Sequence, residues 1–299
     1  MNKNVLMELS DALADAAENA GKATVLVNAR RRMPASGIAY AKDLVLTADH
    51  IVEQEDDIKV VLADGAEIPA RVAGRDSGSD LAVLKLEHAA AAVAEATGSP
   101  ARLGQIALAL ARPSRDGIEA SLGTVSAIGG PIRTGRGGML ERYIRTDSIS
   151  YPGFSGGPLV AADGTVLGLN TSGLGNGAAI TIPADVAWKI ADALVRHGRI
   201  KRGYLGIRSQ AVEIPDTTQK LLKREQALGL LVVSVENNSP ASGGGLIVGD
   251  ILVAVAGVPV HNHDELFSRL NNDVAGKSTP IEILHGGQPQ TLNILISER

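Results

Sequence analysis

After Gly21 the chain breaks into short apolar runs: ATVLVNA, SGIAYA, LVLTADHIV, DIKVVLA, EIPARVAGRD and DLAVLKL, with turn residues such as Lys42-Asp43 and Asp64-Gly65 between them. Runs this short, at this regular spacing, leave no room for long helices and predict an all-β sandwich or barrel. An Ala-rich stretch from His88 to Thr97 interrupts the series. It resumes with QIALALARP, ASLGTVSAIG, ERYIRTD, GPLVAADGTVLGLNTSG and AAITIPA, in which Asp163-Gly164 marks a hairpin turn. The pattern predicts two consecutive β halves, roughly 20–100 and 101–183.

Two helices are expected to flank the β halves. Leu6, Leu9, Leu13 and Ala16 recur at helical spacing over about residues 5 to 20. Pro183 and Asp185 open a second helix, with Val186, Ile190 and Leu194 on one face and Gly198 past its last turn. The basic stretch RIKRG then leads into a further unit, so the expected domains are 1–200 and 201–299. Aromatic residues are only 2% of the chain, so the cores must be built from aliphatic and small side chains.

Charge and composition narrow the function. The net charge of −4 gives no general attraction to nucleic acid or to an anionic membrane. With no cysteine there is no thiolate catalysis, disulfide framework or cysteine zinc site. The first 22 residues hold no apolar run of signal-peptide length, and no stretch is long enough to span a bilayer. The chain therefore reads as soluble, cytoplasmic if whole and of the cell envelope if a leader has been removed.

The stretch YPGFSGGPLV, 151 to 160, contains both G-x-S-x-G and G-x-S-G-G-P. The first is the nucleophile elbow of α/β-hydrolases, which requires a helix after the serine. Here a strand and a hairpin follow. The second belongs to chymotrypsin-like proteases, whose histidine and aspartate precede the serine. LVLTADHIVEQ places His50 at the end of an apolar strand, and GRDSGSDLAVLKL places Asp80 at the head of another. Acyl transfer needs a base to take the serine proton and a buried carboxylate to fix the tautomer of that base. His50, Asp80 and Ser155 supply these in the required order, two on the first β half and one on the second.

At these motifs, TADHIV, GRDSGSDLAVLKL and RTDSISYPGFSGGPLVAADGTVLGLNTSG, the chain resembles the HtrA family of chymotrypsin-like serine proteases with C-terminal PDZ domains. The similarity runs over most of residues 20 to 299. It implies a mainly β fold, a two-barrel protease domain followed by a PDZ domain. It also implies an oxyanion hole from the N–H groups of Gly153 and Ser155, and a specificity pocket based on Ile149 and walled by 169–173 and 179–183. With no acid at that base, cleavage is expected after apolar residues. Tyr151 and Phe154 depart from the family pattern. Phe154 stands where digestive relatives carry an aspartate that pairs with a new N-terminus, so it is expected to pack inward and anchor the serine loop. Family members commonly form trimers through aromatic N-terminal contacts, whereas residues 1 to 39 contain no aromatic side chain.

SPASGGGLIVGDILVAVAGVPV, 239 to 260, resembles the PDZ core. RGYLGI resembles its carboxylate-binding loop, which implies that Tyr204, Leu205, Gly206 and Ile207 receive peptide C-termini. The family's counterpart of the loop GGPIRTGRGGM, 129 to 139, senses the PDZ domain; here it carries Arg133 and Arg136. AGKST, 275 to 279, lacks the earlier glycine of a phosphate loop, since position 271 is Asn. No ATP, other cofactor or metal is expected, and Asp264 in HNHDE is read as a helix cap. The expected activity is ATP-independent endopeptidase cleavage of unfolded or damaged polypeptides, with a PDZ domain regulating it. The alternative is a catalytically silent, PDZ-bearing binding or chaperone-like protein.

Overall fold

The strand-like runs pair antiparallel with their neighbours and close on themselves twice. The computed structural model describes every residue except 1–3, 32, 91, 135–137, 175–178, 201, 271–273 and 299; Arg136 and Asn271 thus lie outside the described residues. Helix α1 (Val5–Gly21) starts at Asn4, whose side chain accepts the Leu6 N–H at 3.1 Å. Strands β1 (Thr24–Asn28), β2 (Ala35–Ala41), β3 (Leu44–Ala48), β4 (Ile58–Val61), β5 (Glu67–Asp76) and β6 (Leu81–Leu86) form a closed barrel in the order β1-β2-β3-β6-β5-β4. Next come β7 (Ile106–Ser114), β8 (Gly117–Gly129), a small ribbon of β9 (Ile132–Arg133) and β10 (Met139–Leu140), then β11 (Tyr143–Thr146), β12 (Pro158–Ala161), β13 (Val166–Thr171) and β14 (Ile180–Pro183). Apart from the ribbon these close as β11-β14-β13-β12-β7-β8. Helix α2 (Ala184–His197) follows and ends on Gly198.

Alternation along the strands separates two sets of side chains. On β2, β3 and β6, Ala39, Val45, Ala82 and Leu84 belong to the core of the first barrel. Their neighbours Ile38, Leu46, Leu81 and Val83 join a second core with Leu108 and Leu110 of β7, Val160 of β12, and Val186 and Leu194 of α2. Both faces of these strands are buried, which is why they read as continuous apolar runs rather than as alternating ones. Arg112 ties α1 to this body: its guanidinium donates to the carbonyls of Thr24 at 2.8 Å and Gly21 at 3.0 Å, at the negative end of the helix dipole. Burial pushes its pKa below the usual value.

The second barrel has its own core, and Phe154 fills it. Ala107, Ala109 and Ala111 point into that core from β7, and their small side chains leave space that the phenyl ring occupies with Ile144, Leu159 and Leu167. The ring is 1% exposed and meets Tyr151 edge-on, centroids 5.6 Å apart. Phe154→Ala is expected to cost about 3–5 kcal/mol, the usual range for emptying a buried phenylalanine site. A denaturant melt of that variant checks the figure, and a loss under 1 kcal/mol would contradict this packing.

The chain divides into two compact units, Met1–Ile200 and Lys201–Arg299. The second contains β15 (Gly203–Tyr204), β16 (Ile207–Glu213), α3 (Asp216–Gln219), β17 (Leu228–Val235), α4 (Pro240–Gly243), β18 (Ile251–Val255), β19 (Val258–Pro259), α5 (His263–Arg269), β20 (Ser278–His285), β21 (Gln288–Leu295) and β22 (Ser297–Glu298). Its main sheet runs β16-β17-β18-β20-β21, with β16 at one edge. Asn262, not Asp264, caps α5: its side chain accepts the Glu265 N–H at 2.9 Å. Asp264 lies in the first turn instead, where a carboxylate favours the helix dipole. Among the described residues no helix is long and apolar enough to cross a membrane.

Candidate active site

His50 stands on a single helical turn, Asp49–Ile51, that ends β3, and Asp80 stands on the turn that opens β6. These two strands are neighbours in the barrel, with Ala48 opposite Leu81, so the two turns lie side by side. Asp80 has φ +54°, a conformation that Asp tolerates better than most residues. Asp76 shapes this turn by accepting the Ser79 N–H at 2.8 Å and the Ser79 hydroxyl at 2.6 Å.

The Asp80 carboxylate is fully buried and holds the histidine at two points. Oδ1 accepts the His50 backbone N–H at 2.9 Å, and Oδ2 lies 2.8 Å from His50 Nδ1. The Thr171 hydroxyl also donates to Oδ2. Oδ2 is an acceptor set against Nδ1, which selects the tautomer with its N–H at Nδ1 and turns Nε2 to the cleft as the basic nitrogen. Arg75 secures the histidine turn from outside. It donates to the Asp49 carboxylate at 2.6 Å and to the carbonyls of Asp49 and Val52 at 3.3 and 3.1 Å. Burial works against the Arg75 cation, but Asp49 and Glu55 outweigh it and hold its pKa above the ordinary value.

Ser155 comes from the other barrel, on a loop pinned from both sides. Ser36 of β2 donates its hydroxyl to the Gly153 carbonyl at 2.8 Å and its N–H to the Ser155 carbonyl at 3.2 Å. From β13, the Asn170 carbonyl accepts the Gly156 N–H at 2.8 Å. Gly153 has φ +91°, and a Cβ there would stand 2.6 Å from Pro113. With the loop carbonyls engaged, the N–H groups of Gly153 and Ser155 have no acceptor among the described residues. The Ser155 hydroxyl lies 3.1 Å from Ser172 Oγ and 3.3 Å from Ser172 N.

His50 and Ser155 line one cleft of about 350 Å³ together with Arg30, Ser150, Asn170, Ser172 and Ala179. Of the segments 169–173 and 179–183, Asn170, Thr171, Ser172 and Ala179 line it. Ile149 does not: it is 59% exposed and absent from the lining. The Ser121 hydroxyl accepts its N–H at 2.9 Å, which fixes the backbone one residue before the cleft begins. Sequence reasoning missed Thr171, Arg75, Ser36 and Gly173. A Cβ at Gly173 would collide with the Asp80 carboxylate and stand 2.7 Å from His50 Nδ1, so the close approach there requires glycine. Thr171, Arg75 and Gly173 carried one signal, their place inside the motif segments; Ser36, in the run SGIAYA, carried none.

In the ribbon loop, Arg133 pairs with Met139, and the Thr134 hydroxyl donates to the Gly78 carbonyl at 2.7 Å. The loop therefore rests on the turn that carries Asp80. In the second unit, Tyr204 pairs with Ser297 and its hydroxyl donates to Glu236. The carbonyls of Leu205 and Gly206 accept the N–H groups of Ala241 and Glu236, both at 2.9 Å. Their own N–H groups have no acceptor among the described residues. Ile207 begins the edge strand β16 opposite Val235. Glu265 is occupied by the His261 N–H at 2.9 Å and by His261 Nδ1 at 2.8 Å.

Comparison with known proteins agrees with this fold. Residues 35–169 match the trypsin-like peptidase domain, and residues 203–296 match the PDZ domain. The chain is 32% identical over 275 residues to a probable periplasmic serine endoprotease DegP-like of Rhizobium meliloti (strain 1021), covering 89% of this chain and 54% of that protein. It is 31% identical over 270 residues to the periplasmic pH-dependent serine endoprotease DegQ of Escherichia coli (strain K12), covering 87% and 58%. It thus spans little more than half the length of these curated relatives. Among solved structures, the HtrA-type protease AlgW with decapeptide superposes with a TM-score of 0.79 at 27% identity, covering 96% of this chain and 98% of that one. The serine endoprotease from Yersinia pestis gives 0.78 at 28% identity, covering 96% and 98%. A trypsin-like two-barrel unit, a PDZ unit and these relatives together place the chain in the HtrA family of serine proteases.

Proposed function

We propose that this protein is an ATP-independent serine endopeptidase of unfolded or damaged polypeptides. The observation that carries this reading is the fully buried Asp80 gripping His50 beside Ser155 in one cleft. In this mechanism Ser155 Oγ attacks the scissile carbonyl while its proton passes to His50 Nε2. The carbonyl oxygen becomes an oxyanion facing the N–H groups of Gly153 and Ser155, and His50 returns the proton to the leaving amine. Water then hydrolyses the acyl-enzyme by the same route. No step uses a nucleotide. The test is covalent: a fluorophosphonate should label the protein at Ser155, and the Ser155→Ala variant should stay unlabelled. A second reading, a silent peptide-binding protein, is favoured by one observation, the Ser155 hydroxyl directed at Ser172. Absence of labelling would decide for it.

The described cleft lining offers no carboxylate to a basic substrate side chain, while Ala179 and Tyr151 present apolar surface. Cleavage is therefore expected after small or medium apolar residues. The preference should be loose, because one methylene changes discrimination by only about 1–3 kcal/mol. Profiling with a peptide library checks this, and a dominant preference for Lys or Arg would refute it.

The PDZ unit is proposed to bind apolar peptide C-termini through the free N–H groups of Leu205 and Gly206, with the peptide added as a strand beside β16. Amidating the peptide removes its carboxylate and is expected to weaken binding at least tenfold, the scale of one charge-assisted hydrogen bond or more. Calorimetry with paired free and amidated peptides checks this; equal affinities would reject the carboxylate cradle. Peptide occupancy is proposed to regulate the protease, with the Pro152–Gly153 peptide as the element that flips. The names of the relatives favour the cell envelope as its compartment.

A further inference from the structure

Among the described residues the Ser155 hydroxyl meets two groups, and both belong to Ser172. An N–H can only donate, so the Ser172 N–H at 3.3 Å occupies a lone pair of Ser155 Oγ. The serine's own proton needs an acceptor. Among the described residues the acceptor within reach of that proton is Ser172 Oγ at 3.1 Å, in a pair where either hydroxyl can donate, while the ring contact of His50 goes to Asp80 through Nδ1. Among the described residues the nucleophile's hydrogen-bond contacts are thus with Ser172 and not with His50.

The neighbours of Ser172 make the arrangement more than a stray rotamer. Thr171 donates its hydroxyl to Asp80, and the Gly173 N–H donates back to that hydroxyl at 2.9 Å. Gly173 leaves the space that Asp80 and His50 occupy. Three successive residues at the end of β13 thus bear on all three members of the triad, and Ser172 is the one that bears on the nucleophile.

We propose that Ser172 is a positioning residue that parks the Ser155 hydroxyl in a resting rotamer, so that attack requires the hydroxyl to leave Ser172 for His50 Nε2. This rests on the triad reading above. The parked and competent states differ by one neutral hydrogen bond exchanged for another, so removing the Ser172 hydroxyl should enlarge the competent fraction about two- to tenfold. The bond chemistry of acylation is unchanged; only the population that enters it moves.

The experiment compares wild type, Ser172→Ala and Ser172→Thr. It reads the second-order rate of fluorophosphonate labelling, and kcat and KM on a short chromogenic peptide. Ser172→Ala is expected to label and acylate about two- to tenfold faster than wild type, with KM unmoved. Ser172→Thr, which keeps a hydroxyl, is expected to return to the wild-type rate. If wild type labels but Ser172→Ala is equal or slower, parking is overturned and the triad stands. A Ser172→Thr variant as fast as Ser172→Ala would also overturn it, since the hydroxyl would not be the cause. If no variant labels, wild type included, the triad reading falls and this one with it.

Discussion

Ser155→Ala is expected to abolish peptide and casein hydrolysis, a loss on the order of 10⁶ in kcat, as when the nucleophile of a serine-protease triad is removed. The size follows from the way the triad works. Without Oγ there is no acyl-enzyme, and His50 has no proton to move, so the remaining groups bind substrate without reacting. His50→Ala should be about as damaging, because triad members act as a unit. The fold should be untouched, since Ser155 is held through its backbone carbonyl by Ser36 and its side chain stands at the cleft. Turnover of casein by a clean Ser155→Ala preparation, with a melt identical to wild type, would defeat the mechanism outright.

Asp80→Asn is expected to lower kcat by about 10⁴, the loss known for this substitution in a serine-protease triad. The hydrogen bonds at this residue explain why. Oδ1 of Asp80 already accepts the His50 backbone N–H. An asparagine keeps that bond only by presenting its oxygen there, which turns its NH₂ group toward His50 Nδ1. Nδ1 must then become the acceptor, the proton moves to Nε2, and the base is lost. The same NH₂ group would also confront the Thr171 hydroxyl, which now donates to Oδ2. Single-turnover acylation measured beside wild type checks this. A loss smaller than tenfold would mean that Asp80 does not set the histidine tautomer.

Much of the architecture could be read from the chain. The short apolar runs and their turns announced an all-β body, because strand length and punctuation are local properties. The order of His50, Asp80 and Ser155 pointed to the chemistry, because three motifs in one sequence are a coincidence that the chain itself records. The inward packing of Phe154 followed from its chemistry, since a phenyl ring beside a catalytic loop has nowhere better to go than the core.

What only the tertiary structure decided is what joins distant residues. The Thr171 hydroxyl reaches Asp80 across 91 positions, and the Ser36 hydroxyl reaches Gly153 across 117. No periodicity or spacing records such a bond, because each depends on barrel closure bringing strand ends together. Ile149 failed for the same reason. Counting six residues back from Ser155 gave a position but not a direction, and in the folded chain that side chain is exposed and outside the cleft lining. Strand pattern and motif order are written along the chain, whereas the contacts that aim a carboxylate, shape a cleft or hold a hydroxyl exist only after folding has closed both barrels.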